Sequence, residues 1–470
     1  MTRLSRLVVI SSCLWLSACA VGPDYRAPVT AQALPDRYAA APDSAMPAPE
    51  RWWTLFGDPT LNALVERALR SGPDIAMAEA RVRESRARFA MAGGVRWPQL
   101  NTGARLGRDQ MSRNSESLAN LPLPNPRTGF TDYRAGFDAS WEIDLFGRLS
   151  RGVEAAGARM EGSEAARQDA ALRVAAEVAR NAADVRAWTL RRENGAEAVA
   201  DSRDLLRLTE LQRRAGWLSD REVDEASAAL ADQEAALPVM DAARHASLAA
   251  LSVLVDEPVE RLAIRFEGTA PFAVPEAIPA GLPSELLRRR ADVRAAERAL
   301  AAATADIGAA VAEQYPRLTL VGSGGWDSIY PGRLTESASR FWNAGPQLTL
   351  PLFAGGRLKA QVDAREAERD AAFAAYRKAV LSALADVETA LARCKEEAVR
   401  DAGLSRALAA REALVGQTER RAAVGESARS EVLAARIQRR AAGDALLASR
   451  QTRAAAMIAL FKALGGGFGD

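Results

Sequence analysis

The chain is one unit written twice. The stretch GPDIAMAEARVRESRARFAMAGGVRWPQL, ending at Leu100, returns as RADVRAAERALAAATADIGAAVAEQYPRL, ending at Leu318. In that register Asp74 meets Asp292, Ala78 meets Ala296, Glu79 meets Glu297, Ala87 meets Ala305 and Pro98 meets Pro316, at a constant offset of 218. Further along the offset is 209: Ala135-Gly136 meets Ala344-Gly345, Gly147-Arg148-Leu149 meets Gly356-Arg357-Leu358, Gly216 meets Gly425, and Glu222-Val223 meets Glu431-Val432. One length difference of nine residues, in a single loop, accounts for both offsets. Ala-rich helices that resemble each other by chance do not hold register for so long, so whatever supersecondary unit one half forms, the other forms too.

Each half reads as helix, strand, loop, strand, very long helix, tight break and second helix. TDYRAGFDASWEIDL, 131 to 145, carries the clearest strand signal. Tyr133, Phe137, Trp141 and Ile143 alternate with Asp132, Arg134, Asp138, Glu142 and Asp144, a period of two that gives a strand with one apolar and one charged face. Its partners are LNTGARLGRDQ from Leu100, RLTLVGSGGWD from Arg317 and FWNAGPQLTLPLF from Phe341. The loops at 111–129 and 329–340 are rich in Ser, Asn, Pro and Gly, as exposed tips are. No Pro falls between Pro126 and Pro238 or after Pro351, so 149–215 and 358–424 read as helices of about 100 Å at ~1.5 Å per residue. In the second, Val380, Leu384, Val387, Leu391 and Cys394 step by 4, 3, 4, 3, a heptad seam whose counterparts Val178 and Val185 stand opposite Val387 and Cys394.

The ends give the compartment. Arg3 and Arg6 precede an apolar run from Leu7 to Leu16, which is too short to span a bilayer and suits an export signal. The run closes on Leu16-Ser17-Ala18-Cys19, which resembles a bacterial lipobox with Cys19 as the lipidated residue. Ala20 follows it, where an Asp would signal inner-membrane retention, so the outer membrane is favoured. Residues 1–18 are thus expected as signal peptide, 19–50 as an extended N-terminal segment, and 51–270 and 271–470 as the two repeats. Cys394 is then the only free thiol, and no intrachain disulfide is expected. With 62 basic and 60 acidic residues interspersed, net charge draws in no nucleic acid.

The mature chain has no run apolar enough for a spanning helix, so if it crosses a membrane it does so with strands. Four strands cannot close a barrel, and an open edge in lipid leaves backbone groups unpaired at several kcal/mol each. Copies must therefore pool strands around a cyclic axis, two for eight or three for twelve. An eight-stranded barrel is packed dry by its own side chains, whereas the row Asp132, Arg134, Asp138, Glu142 and Asp144 needs water. Twelve strands and a wet lumen fit better.

These stretches resemble the TolC-like outer membrane efflux proteins, in particular the lipidated NodT-type subfamily. CAVGPDYRAP at 19–28, RWWTLFGDPTLNALVERAL at 51–69, SWEIDLFGRL at 140–149, LPSELLRRRADVRAAE at 282–297 and LPLFAGGRL at 350–358 carry the likeness, over essentially the whole chain. The resemblance implies a mainly α chain with membrane β: a homotrimer whose twelve-stranded outer membrane barrel, four strands per chain, continues into a long periplasmic α-helical barrel. It implies a passive exit for drugs or other small molecules delivered by an inner-membrane RND-type pump through a periplasmic adaptor protein, with no cofactor. The breaks at Gly216 and Gly425 match the hairpin tips that narrow the entrance and meet the adaptor, and Glu222 and Glu431 match acidic residues that help close it. The alternatives from the same residues are an exit for type I protein secretion, a poreless lipidated coiled-coil spacer, and, for the two glutamates, plain solvated charges beside helix caps.

No catalytic constellation stands out. His245 is the only His, which excludes His-based triads and zinc clusters. Arg288-Arg289-Arg290 is too short for a nucleic-acid patch, and Gly465-Gly466-Gly467 lacks the Lys-Ser/Thr of a phosphate loop.

Overall fold

The structure, a computed structural model, describes residues 20–28, 37–39, 49–112, 128–268, 272–276, 286 and 288–466. The expected signal peptide, Cys19, most of the loop after the first strand and residues 282–285 lie outside them. A short 3-10 turn, Trp52–Phe56, leads into α1 (Pro59–Ser71), α2 (Pro73–Gly94), β1 (Gln99–Gln110), β2 (Gly129–Ile143), α3 (Arg148–Arg214), α4 (Asp220–Val255) and α5 (Val259–Arg265). The second half supplies α6 (Ala291–Ala312), β3 (Arg317–Ser328), β4 (Arg340–Thr349), α7 (Arg357–Ala423) and α8 (Arg429–Ala463). Both long helices have 67 residues. Among the described residues no helix is long and apolar enough to cross a membrane.

The element limits have local causes. β2 ends at Ile143 because Asp144 turns away to cap α3, its two carboxylate oxygens accepting from the N–H groups of Leu149 at 3.1 Å and Ser150 at 2.7 Å. β4 stops at Thr349 rather than continuing to Phe353, since Pro351 has no N–H for a ladder. α4 runs unbroken through Pro238.

The chain divides into two compact units, each drawing on both repeats, so the repeat is a unit of sequence and not a separate body. One unit combines Arg83–Gly162 and Glu297–Ala375 with residues 20–27. It holds the sheet, four antiparallel strands in the order β1-β2-β3-β4, with β1 and β4 as open edges. Residues paired across the ladder share a face. Leu100, Ala139, Gly322 and Ala344 lie in one apolar row, with Trp141 beside Leu320 and Ile143 beside Leu318 and Leu348. On the opposite face Asn101, Asp138, Ser323 and Asn343 form one row, and Arg105, Arg134 and Asp327 another. Beside the sheet α6 packs on the start of α3: Ala301 and Ala302 bury against Ala158, Arg159 pairs with Asp306, and Arg298 reaches Glu161 at 3.1 Å.

The other unit holds the main core. Trp52, Trp53 and Phe56 of the RWWTLF motif are buried, with Trp52 stacked on Phe461 at 5.2 Å. Asp58 caps α1 through the N–H groups of Thr60 and Leu61 and forms a buried ion pair with Arg186 at 2.7 Å. Arg290, from the LPSELLRRRADVRAAE motif, ties Asp292 at 2.7 Å and Asp386 at 3.0 Å. Arg203–Glu234 joins α3 to α4, Arg191–Asp444 joins α3 to α8, and Arg453–Asp401 joins α8 to α7. Val178, Val185, Val380, Val387, Leu391 and Cys394 are buried as the heptad spacing predicts, and Leu384 of the same seam is partly buried against the core. Burial pushes the Cys394 thiol up to about 11, which makes it an inert seam residue.

Candidate channel wall and hairpin tips

The wall is built from the register. Asp132, Arg134, Asp138 and Glu142 all fall on the polar face of β2, and each strand paired with it adds polar neighbours. One row is different: Gly103, Gly136 and Gly325 stand side by side, with Phe341 closing the row on β4. The bare glycine surface leaves a hollow of about 190 Å³ bounded by Arg105, Arg134, Asp138 and Phe341, and the Arg134 guanidinium lies over the Phe341 ring at 4.4 Å. Arg105, Phe341 and the glycine row were not singled out from sequence. The two-residue period was legible in each strand separately, but only the ladder shows which residues stand next to one another.

Glu142 is not a free wall carboxylate. Both its oxygens accept from Arg148, at 2.9 and 2.7 Å, which locks the end of β2 to the first turn of α3. The N-terminal segment meets the same junction. Val21 N–H donates to the Phe146 carbonyl at 3.2 Å, Arg151 pairs with Asp24 at 2.6 Å, and Tyr25 donates to Glu297 at 2.9 Å. Gly147, at φ +80°, has Ala20 so close that a side chain there would collide with it. Residue 20 is therefore held where the strands end. Trp141 sits at this level too, its indole N–H donating to the Arg96 carbonyl at 2.9 Å, a polar tip on an apolar body as at membrane–water boundaries.

The hairpin tips repeat the same glycine turn. Gly216, at φ +78°, bonds back to Arg213, and Trp217 N–H reaches the Gln212 carbonyl at 2.9 Å. Gly425, at φ +82°, bonds back to Ala422, and Glu426 N–H reaches the Arg421 carbonyl at 2.9 Å. Both are helix ends closed by a left-handed residue, and nothing lies within 4 Å of where either Cβ would be, so Gly is needed for its backbone freedom alone. The carboxylates that follow are less alike. Glu222 accepts from the Ser219 N–H at 2.9 Å and from its hydroxyl, capping α4. These hydrogen bonds, the Ser219 hydroxyl first, hold its carboxyl below the usual value. Glu431 stands at the same place in α8, where Ala428 replaces Ser219, and takes its hydrogen bond from Ser427 instead. Sequence reading passed over Trp217, which is 77% exposed at the first tip. Among the described residues no cluster could hold a metal ion.

A four-stranded sheet with one apolar and one charged face and two open edges, joined to helices of 67 residues, has the architecture of the trimeric outer membrane efflux channels, in which each chain contributes four strands to a shared barrel. The model of the outer membrane efflux protein family matches residues 64–255 and 282–466, and the chain belongs to that family. It is 32% identical to the pyoverdine export outer membrane protein OpmQ of Pseudomonas aeruginosa, covering 99% of this chain and 97% of the relative. It is 29% identical to nodulation protein T of Rhizobium leguminosarum bv. viciae, over 97% and 92% of the two chains. Among solved structures, the outer-membrane channel OprN superposes with a TM-score of 0.84 at 32% identity, over 96% of this chain and 99% of that one. The protein is an outer membrane efflux channel, a transport duct and not an enzyme.

Proposed function

We propose that three copies of this chain form the outer membrane exit of a tripartite efflux system, fed by an inner-membrane RND-type pump through a periplasmic adaptor protein, with drugs or other small organic molecules as cargo. The sheet is the observation that carries this reading: two open edges demand partners in lipid, and the charged face demands water. Asp132, Arg134 and Asp138 line the lumen, with Glu142 at its inner end. The apolar face spans Tyr133 to Ile143, ten steps that at ~3.3 Å each and a tilt of ~40° cover about 25 Å, the height of a barrel's lipid band. Cys19 carries lipid, and an anchor in the inner leaflet is supported by its neighbour Ala20, which is held beside Gly147 where the strands end.

Gly216 and Gly425 shape the adaptor-facing tips, and Glu222 and Glu431 narrow the entrance and give it a preference for cations. Single-channel recording in planar bilayers tests both claims. The expected result is discrete, cation-selective openings, with Glu222→Ala and Glu431→Ala each raising conductance and weakening the cation preference. A purified protein without discrete conductance would refute the duct. Unchanged conductance and selectivity in both variants would leave a duct but remove the carboxylate gate.

A further inference from the structure

Two guanidinium groups stand without a carboxylate at the end of the sheet away from α3. Arg108 of β1 lies opposite Thr131 of β2, and Tyr133, two places on, shares that face, which is the apolar one of Trp141 and Ile143. With Ile329 and Tyr330, just past the end of β3, these residues line a hollow of about 440 Å³. The Arg333 guanidinium lies over the Tyr330 ring at 5.6 Å, so a second cation stands at its rim. Among the described residues neither Arg108 nor Arg333 forms an ion pair, whereas Arg105, on the polar face of the same strand, pairs with Asp109 at 3.2 Å.

The hollow is held in shape by its own turn. The Ser328 hydroxyl donates to the Tyr330 carbonyl at 2.9 Å and accepts from the Tyr330 N–H at 3.0 Å, and the Arg333 carbonyl accepts from the Ser339 hydroxyl at 2.8 Å. Charge on this face has one sign. The register puts Arg108 and Arg340 on it and no Asp or Glu from any of the four strands. Cations on a face turned to lipid are costly unless an anion meets them at the membrane surface. Depth agrees, because Tyr133 is the outermost residue of the apolar band, and aromatic rings such as Tyr133 and Tyr330 belong at headgroup level.

We infer that this hollow binds a phosphorylated lipid of the outer leaflet, the lipid A moiety of lipopolysaccharide, with Arg108 and Arg333 on its phosphate oxygens. The planar fork of a guanidinium matches two phosphate oxygens at once. The acyl chains then run inward over Leu106 and Phe137, which share the face of Arg108 and are exposed. Ile329, half exposed beside the phosphate position, favours a lipid over free phosphate. The inference rests on the channel reading above, which turns this end of the strands outward.

The test uses the purified full-length protein, its conductance in planar bilayers measured on the same sample. Native mass spectrometry from detergent compares bisphosphorylated lipid A, phosphatidylglycerol and inorganic pyrophosphate. Lipid A is expected to remain bound in preference to the other two. Arg108→Gln with Arg333→Gln should weaken lipid A binding about tenfold or more, while Arg411→Gln, the same charge change on exposed α7 surface, leaves it at the wild-type level. If the double variant no longer conducts, Arg333→Gln alone, outside the strand ladder, is expected to show the loss in a conducting channel. Equal binding of lipid A and phosphatidylglycerol, lipid A binding unaffected by the arginine variants, or an equal loss in Arg411→Gln overturns the site, and pyrophosphate bound as firmly as lipid A makes it a phosphate site and not a lipid site. In each case a conducting sample leaves the channel reading intact. A wild-type protein that does not conduct overturns that reading and the outward placement of the hollow with it.

Discussion

At the scale of the residue, Glu222 performs a local task that bears on the gate assigned to it. Its carboxylate accepts from the backbone N–H and the hydroxyl of Ser219, and that pairing lowers its pKa from the ordinary 4.5. A carboxyl with a depressed folded-state pKa contributes stability that is fully present above the unfolded value and is lost as pH falls through the lowered one. The tip is therefore expected to keep its amide protection from neutral pH down to about pH 5 and to lose it below ~4.5. Hydrogen exchange of residues 216–222, corrected for the intrinsic rate, checks this, and Glu222→Gln should remove the pH dependence. Protection that stays flat over that whole range would contradict it. The plain alternative in the sequence was a solvated charge beside a helix cap; the structure makes Glu222 part of the cap itself, and Ser219 three places before it is the sequence signal that the reading passed over. Glu431 has no such signal because Ala428 occupies the capping place, and only the folded turn brings Ser427 within its reach.

At the scale of the element, the glycine row shows how identical residues differ in tolerance. A Cβ on Gly136 would lie 2.7 Å from the Gly324 carbonyl oxygen, and one on Gly325 would collide with that of Ala135. Gly103, in the same row, has nothing within 4 Å of its Cβ position. Where β2 and β3 come this close, the backbone atoms cannot yield as the end of a flexible side chain could. Gly136→Ala and Gly325→Ala are expected to lower the heat stability of the assembled protein and the yield of correctly inserted barrel, while Gly103→Ala leaves both near wild type. Gel mobility of unheated and heated membrane samples measures this, and equal behaviour of the three variants would refute it. The strands themselves were legible in the sequence, and the apolar and polar faces read for β2 are those the register has. Their ends were less so, because Asp144 and Pro351 act through hydrogen bonds formed or missing in three dimensions.

At the scale of the whole molecule, two attachments to the outer membrane are proposed, a strand wall and a lipid on Cys19. They differ in consequence. Strands whose backbone is paired around a closed wall stay in the bilayer without help, whereas acyl chains add about 0.8 kcal/mol for each buried CH₂. Cys19→Ser, exported behind a cleavable signal without the lipobox, is expected to lose palmitate labelling while retaining outer membrane location and single-channel conductance. Loss of conductance in a variant that still reaches the membrane would show that the lipid, and not the wall, sets the fold in place. What the sequence by itself determined was the repeat, the alternation of the strands, the length of the helices and the heptad seam, because each is a periodicity carried by neighbouring residues. Tertiary structure alone decided that Glu142 is tied to Arg148, that Arg134 stacks on Phe341, and that Ala155 and Ala158 of α3 are buried while their repeat counterparts Ala364 and Ala367 of α7 are exposed. Those outcomes depend on which distant segments meet, and a sequence in two equivalent copies does not itself say which copy meets which.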